Sequence, residues 1–309
     1  MRSLVLAVVA SAMLAVPARA DTIKPLVDAD WLKANLGKPG IVVLSARTVP
    51  RKIYEQAHVP GAVYTSYGKD RWRVMNRAGV PSMLPPVAYL EKLFGSLGIG
   101  NSSHVVVVPS GNSSSDVGIA TRIYWTFKVL GHDRISILNG GWRSWARIDK
   151  QTRKPVNPIA AGVVKPKPQV FKASLRKQML VSEDEIKQAL TGKAQLVDNR
   201  TRDYFVGISK SSKALRAGTL PGAKNLPQTW LTKNGRGKFR DKAQLEKIYK
   251  AVDVATKGDQ IMFCNTGHQA TIAWFVSSEI LGNRKARMYD GSLAAWTRVK
   301  NAPVTRMIK

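Results

Sequence analysis

Short apolar and β-branched runs alternate along the chain with stretches whose apolar positions recur at helical spacing. Ile41 to Leu44, Val105 to Val108 and Ile135 to Leu138 have the length and character of buried strands, while Pro86 to Leu97 sets Leu90, Leu93, Phe94 and Leu97 on one helical face. In the second half, Ser182-x-x-Glu185 forms a capping box that opens a short helix, followed by a strand at Leu196-Val197-Asp198. A strand at Ile261 to Phe263, a helix from Gln269 to Leu281, a strand at Arg287 to Tyr289 and a last helix through Trp296 follow. Strands alternating with helices predict an α/β fold, in which a mostly parallel central sheet is flanked by helices on both faces. Sheets of this kind place their sites at the carboxyl ends of strands.

The pattern occurs twice. Leu138-Asn139-Gly140-Gly141 followed by Trp142 and Trp145 answers Tyr289-Asp290-Gly291-Ser292 followed by Trp296, and Leu130-Gly131 answers Leu281-Gly282 at the same offset. Upstream, His58-Val59-Pro60-Gly61-Ala62 answers Thr219-Leu220-Pro221-Gly222-Ala223, and Pro155-Val156 answers Pro303-Val304. Between the copies, Lys154 to Pro168 carries Pro155, Pro158, Pro166 and Pro168, which continue neither a helix nor a central strand. The expected organisation is a first unit over 21–155, a linker over 156–168 and a second unit over 169–309.

Residues 1–20 stand apart. Arg2, the apolar run Leu4 to Val16 and Ala18-Arg19-Ala20 form the three regions of an export signal, with cleavage expected near Ala20 and a periplasmic or secreted mature protein. The run is too short to span a bilayer. Composition then narrows the chemistry. Of 309 residues, 49 are Lys or Arg and 20 are Asp or Glu, a net charge of +29 spread along the chain rather than gathered in an arm or tail. Spread charge and export argue against a nucleic-acid partner and for small anionic ligands drawn by long-range attraction. An anionic envelope surface is a further candidate partner. One Cys excludes a disulfide framework, and four scattered His give no metal-ligand spacing, so no metal is expected. Gly98-Ile99-Gly100 lacks the preceding strand and third Gly of a dinucleotide site.

That Cys, Cys264, closes the strand Ile261-Met262-Phe263 and begins the turn Cys264-Asn265-Thr266-Gly267-His268-Gln269-Ala270 that leads into a helix. A loop closing onto a helix N-terminus turns backbone N–H groups toward its centre, where they stabilise an anion. A sulfur held there as thiolate is a nucleophile. Gly267 supplies backbone conformations closed to other residues. The bland alternative is a small buried hydrophobe. His268 reads as a solvent-facing loop residue, and Trp230 and Trp274 as packing residues.

From about Leu26 to Val304 the chain resembles the tandem-domain rhodaneses, the thiosulfate and 3-mercaptopyruvate sulfurtransferases. The residues that carry the resemblance are Cys264-x-x-Gly267-x-x-Ala270, Asp198-x-Arg200, Leu220-Pro221-Gly222-Ala223, Tyr289-Asp290-Gly291-Ser292 and Trp296, with Val59-Pro60-Gly61-Ala62, Gly131-His132 and Asn139-Gly140-Gly141 in the first unit. The resemblance implies two tandem rhodanese-like domains acting as a monomer, with the site in the crevice between them. The second domain would be catalytic, with a Cys264 persulfide as intermediate. The first would be silent, since Pro109-Ser110-Gly111-Asn112-Ser113 has no thiol and Ser45-Ala46-Arg47 has lost the Asp of Asp198-x-Arg200. It implies a small anionic sulfur donor such as thiosulfate, a thiophilic acceptor such as cyanide or a thiol, and no cofactor. Amides of Asn265, Thr266, Gly267, His268, Gln269 and Ala270 would hold the anion, and Asp198 and Arg200 would buttress the loop.

Two departures bear on the donor. Asn265 and Thr266 match neither the basic residues of thiosulfate-preferring relatives nor the small ones of mercaptopyruvate-preferring relatives, and Tyr204 precedes Phe205-Val206-Gly207 where many relatives carry Arg. The donor's cation is then expected at Arg200, Arg202 or Arg216, or elsewhere in the chain. Phosphate or arsenate chemistry on a related loop would want an Arg at its end, where Ala270 stands. A non-enzymatic sulfur carrier or envelope-binding module is the alternative from another class.

Overall fold

A computed structural model describes residues 23–308. The expected export segment, residues 1–20, lies outside them. Two parallel sheets form from the expected strands together with three two-residue strands, Leu26–Val27, Val63–Tyr64 and Lys224–Asn225, that were not expected. In the first, β1 (Leu26–Val27), β2 (Ile41–Ser45), β3 (Val63–Tyr64), β4 (His104–Val108) and β5 (Ile135–Leu138) lie in the order β1-β5-β4-β2-β3. In the second, β6 (Gln195–Asp198), β7 (Lys224–Asn225), β8 (Gln260–Phe263) and β9 (Ala286–Met288) lie in the order β7-β6-β8-β9. Read from the other edge, the second order is that of the first without its outer strand, whose place is taken by a single parallel bridge from Leu180 to Met288. The duplication legible in the motifs is therefore a duplication of topology.

The helices of the first unit are α1 (Ala29–Asn35), α2 (Arg51–Gln56), α3 (Val87–Ser96), α4 (Ser114–Val129) and α5 (Gly141–Trp145). Those of the second are α6 (Glu183–Ala189), α7 (Arg202–Val206), α8 (Lys242–Ala251), α9 (Ala270–Phe275) and α10 (Ser292–Trp296). The Ser182–Glu185 box forms as expected, with Ser182 accepting from the Glu185 amide and Glu185 accepting from the Ser182 amide. The expected helix from Gln269 to Leu281 changes pitch midway, running on from α9 as a π-helical turn over Val276–Ile280.

α4 had no counterpart among the expected helices. Its residues from Val117 to Phe127 are all buried, because it lies between the two units and packs on α9. A helix covered on every side carries no polar stripe, and so gives no amphipathic signal. Thr121 of α4 and Thr271 of α9 share a hydroxyl hydrogen bond of 2.8 Å, and Tyr124 meets Phe275 edge-on at 4.8 Å. One apolar core runs through both units by way of this contact.

The segment that follows the prolines packs on the first unit. Phe171, placed in the second unit by its position after the prolines, packs against Phe94 and Phe127 of the first, with ring centroids 4.9 and 6.3 Å away. The amides of Gln169, Ser174 and Arg176 donate to carbonyls of Gly95, Leu130 and Val129. The connecting chain is thus bound along the first unit. Removing that ring, Phe171→Ala, is expected to cost about 3–5 kcal/mol in denaturant unfolding monitored by fluorescence; a loss below about 1 kcal/mol would mean that the segment is only loosely attached.

Candidate active site between the two units

β8 delivers Cys264 to the base of a loop that closes on α9. The side chain is 1% exposed and is a free thiol. The loop is tied down from several sides by its carbonyl groups. Those of Cys264 and Asn265 accept from the amides of Leu293 and Ala294 at α10, at 3.1 and 2.9 Å. Thr266 O receives Arg73 at 3.4 Å, Gly267 O receives Arg122 at 2.9 Å, and His268 O receives the Thr271 hydroxyl at 2.7 Å. The N–H groups behave differently. Those of Cys264 and Gly267 both donate to Ser292 Oγ at 3.1 Å. Those of Asn265, Thr266, His268, Gln269 and Ala270 donate to no protein acceptor among the described residues. A loop with its carbonyls engaged and five amides unspent is an anion receptor in form.

Two backbone positions make the loop possible. Gly267 adopts φ +63°, and a Cβ there would lie 2.5 Å from Asp290 O and 2.9 Å from the Arg122 guanidinium. Ser292 adopts φ +48° despite its side chain, at a strain of about 1–3 kcal/mol. Its hydroxyl explains the choice: it accepts from two loop amides and donates to Tyr289 O at 2.9 Å.

The first unit supplies the rest of the site. Arg122 on α4 is fully buried, pairs with Asp290 at 2.5 Å, and stacks over Trp125 with its carbon 4.7 Å from the ring centroid. Its Nε and Nη2 have no partner among the described residues. Asp290 also accepts from the Leu84 amide at 2.7 Å. Arg73 lies over the Tyr67 ring at 5.0 Å and reaches both oxygens of Thr266. His268 is wedged between Tyr67 Oη and Ser115 O, each 3.1 Å from a ring nitrogen, rather than facing solvent as expected. Burial, helped by Arg73 and Arg122, pushes its pKa down to about 3. A neutral ring must donate from Nε2 to the Ser115 carbonyl, so Nδ1 accepts from the Tyr67 hydroxyl, which burial keeps protonated.

The expected support residues sit one strand away. Asp198 receives Arg200 Nε at 2.9 Å and Nη2 at 2.5 Å, together with the Thr219 hydroxyl at 2.7 Å. Arg200 Nη1 reaches Asn265 Oδ1 at 3.4 Å and Nη2 the Gly218 carbonyl at 2.7 Å, so this guanidinium is spent on the scaffold. Arg202 and Arg216 are not at the site. Arg202 opens α7 facing solvent, over the Phe205 ring at 5.0 Å, and Arg216 donates to Ala302 O and Val299 O beyond the end of α10. Trp274 is buried as expected, but Trp230 is 47% exposed. Sequence reasoning missed Arg73, Arg122 and Tyr67. The signal for Arg122 was a lone charge amid Ile119, Ile123 and Trp125.

The corresponding loop of the first unit shows what the site is not. Trp142 N donates to Pro109 O and Arg143 N to Ser110 O, as Leu293 and Ala294 do to Cys264 and Asn265, so Pro109 occupies the position of the cysteine. Asp116 turns inward and accepts from the amides of Asn112 and Ser113 at 2.9 and 3.1 Å and from the Thr48 hydroxyl at 2.9 Å. Two amides of this loop are thus spent on its own carboxylate.

Known proteins share the family and the fold. A family model described as a rhodanese-like domain matches twice, over residues 28–148 and 182–299. A thiosulfate sulfurtransferase of Rattus norvegicus is 32% identical over 301 residues, covering 92% of this chain and 95% of the relative. Another from Corynebacterium glutamicum is 30% identical over 285 residues, covering 90% and 89%. Among solved structures, SseA from Escherichia coli, described as a 3-mercaptopyruvate sulfotransferase, superposes with a TM-score of 0.72 at 24% identity, covering 87% of this chain and 98% of its own. The two matched copies and the near full-length likeness establish that this chain belongs to the rhodanese family, as a tandem pair of rhodanese-like domains.

Proposed function

We propose that the protein is a sulfurtransferase in which Cys264 relays a sulfane sulfur from thiosulfate, or a related donor, to cyanide or a thiol. The observation that carries this reading is the set of five unspent amides in the loop that begins at the chain's single cysteine. The Cys264 thiolate attacks the outer sulfur of the donor, the donor's S–S bond breaks, and sulfite leaves with the bonding pair. The persulfide formed is an anion, and the loop amides hold it. The acceptor then attacks the outer sulfur, carries it off as thiocyanate or a new persulfide, and returns Cys264 to thiolate. Sulfurtransferase homologues of nearly full length support the reaction class.

The donor's sulfonate needs a cation. Arg122 offers two unpartnered donors in a dry setting, and Arg73 offers a second charge from the first unit. With Arg200 spent on Asp198, these two replace the cations expected from sequence. At 1% exposure Cys264 is out of reach of a donor while the loop is closed, so turnover includes a displacement of the loop or of the Tyr67–Arg73 segment that meets it. We also place the mature protein in the periplasm or outside the cell, beginning at Asp21.

Intact mass after thiosulfate treatment should rise by one sulfur atom, return on adding cyanide, and stay unchanged in Cys264→Ala; a sulfur retained by that variant would move the nucleophile elsewhere. Arg73→Gln is expected to raise KM for thiosulfate about tenfold with a smaller change in kcat, the loss of one charge-assisted contact; an unchanged KM would remove Arg73 from donor binding. Ser292→Gly should keep stability within about 1 kcal/mol, because relief of left-handed strain offsets lost hydrogen bonds, yet lower kcat by about tenfold as two loop amides lose their anchor. N-terminal sequencing of protein recovered from an export-competent host should begin at Asp21, and a chain that still starts at Met1 would overturn the export assignment.

A further inference from the structure

The two units exchange hairpins. In the first, the segment bridged by Val74 and Met83 crosses to the second unit, where the Leu84 amide donates to Asp290 Oδ2 at 2.7 Å. In the second, the segment bridged by Thr232 and Phe239 crosses back, and the Phe239 amide donates to Asn139 Oδ1 at 3.0 Å. Asn139 and Asp290 occupy matching places in the repeat, so the two crossings are related by the pseudo-symmetry of the molecule. One hairpin covers the Cys264 loop, and the other covers the silent loop of the first unit.

Beneath the second hairpin lies a cavity of about 360 Å³. Its walls carry Arg143 and Arg147 from the first unit and Lys233, Arg236 and Lys238 from the second, with no acidic side chain among them. None of the five belongs to an ion pair among the described residues. The silent loop's own carboxylate, Asp116, is turned into that loop and held by Thr48, Asn112 and Ser113. Glycine backbone lines the same cavity: a Cβ on Gly237 would lie 2.4 Å from Gly111, and one on Gly111 would lie 2.1 Å from Gly140 O. Two main chains therefore meet with no side chain between them, and the space they leave is ringed by cations.

Five exposed like charges around one cavity repel one another, and an anion among them relieves that repulsion. We propose that this cavity is a second anion site, distinct from the Cys264 loop, which takes a soluble oxyanion bearing two or more phosphate- or sulfate-type groups. The cations stand on both units, so a ligand with a single anionic group satisfies one wall, whereas one of pyrophosphate to tripolyphosphate length spans both. Cavities of this size fall at the small end of ligand pockets.

The test is calorimetric titration of the full chain with tripolyphosphate at physiological salt. Saturable binding at one site per chain is expected, weakened at least tenfold in Arg147→Gln/Arg236→Gln. The control Lys193→Gln/Lys285→Gln removes the same charge from exposed positions outside the cavity and should stay within twofold. Cys264→Ser should also bind unchanged. Equal weakening in both double variants would reduce the effect to overall charge, and loss of binding in Cys264→Ser would place the anion in the catalytic loop. Binding only to phosphatidylglycerol vesicles, with none to tripolyphosphate, would mean a lipid surface instead. Each of these three results overturns the proposal.

Discussion

Arg122 carries a full positive charge into a place without solvent, and what makes it tolerable there is Asp290 of the other unit, 2.5 Å away. A buried guanidinium without its carboxylate costs about 3–5 kcal/mol, so the pair makes the two halves mutually dependent. The same guanidinium donates to the loop's Gly267 carbonyl, and the same carboxylate accepts from the Leu84 amide. Packing of α4 on α9, the closure of the Cys264 loop and the arrival of the first unit's hairpin all meet at this one ion pair.

Around it the loop sorts its polar groups. Carbonyls from Cys264 to His268 are taken by α10, Arg73, Arg122 and Thr271, which leaves most of the amides without an internal acceptor. The first unit's loop shows another outcome of the same backbone plan. There a proline stands in the place of the thiol, and Asp116 answers two of the amides, those of Asn112 and Ser113.

Much of the fold was legible because strands buried on both faces read as apolar runs, and because Ser182 and Glu185 announce a helix start by local chemistry alone. The Cys264 loop was legible for the same reason: a strand, a glycine turn and a helix lie next to each other in sequence. Helix α4 was not, since uniform burial erases periodicity. Nor were Arg73, Arg122 and Tyr67, which approach Cys264 from the far side of a repeat that sequence reading treats as two separate units. The choice of Arg202 and Arg216 failed on direction: both follow the strand end at Asp198, but their side chains leave the sheet toward solvent and toward Ala302. His268 was misplaced because nothing local foretells that Gly118 of α4 leaves room for its ring, a Cβ there falling 2.6 Å from Nε2.

The reciprocal hairpins have a further bearing on how such a molecule can change over time. A chain shortened to its cysteine-bearing half would lose the two arginines that hold the Cys264 loop, and one shortened to the other half would lose the hairpin that crosses over its own loop. Neither half is spare: each is wall and lid to its sibling.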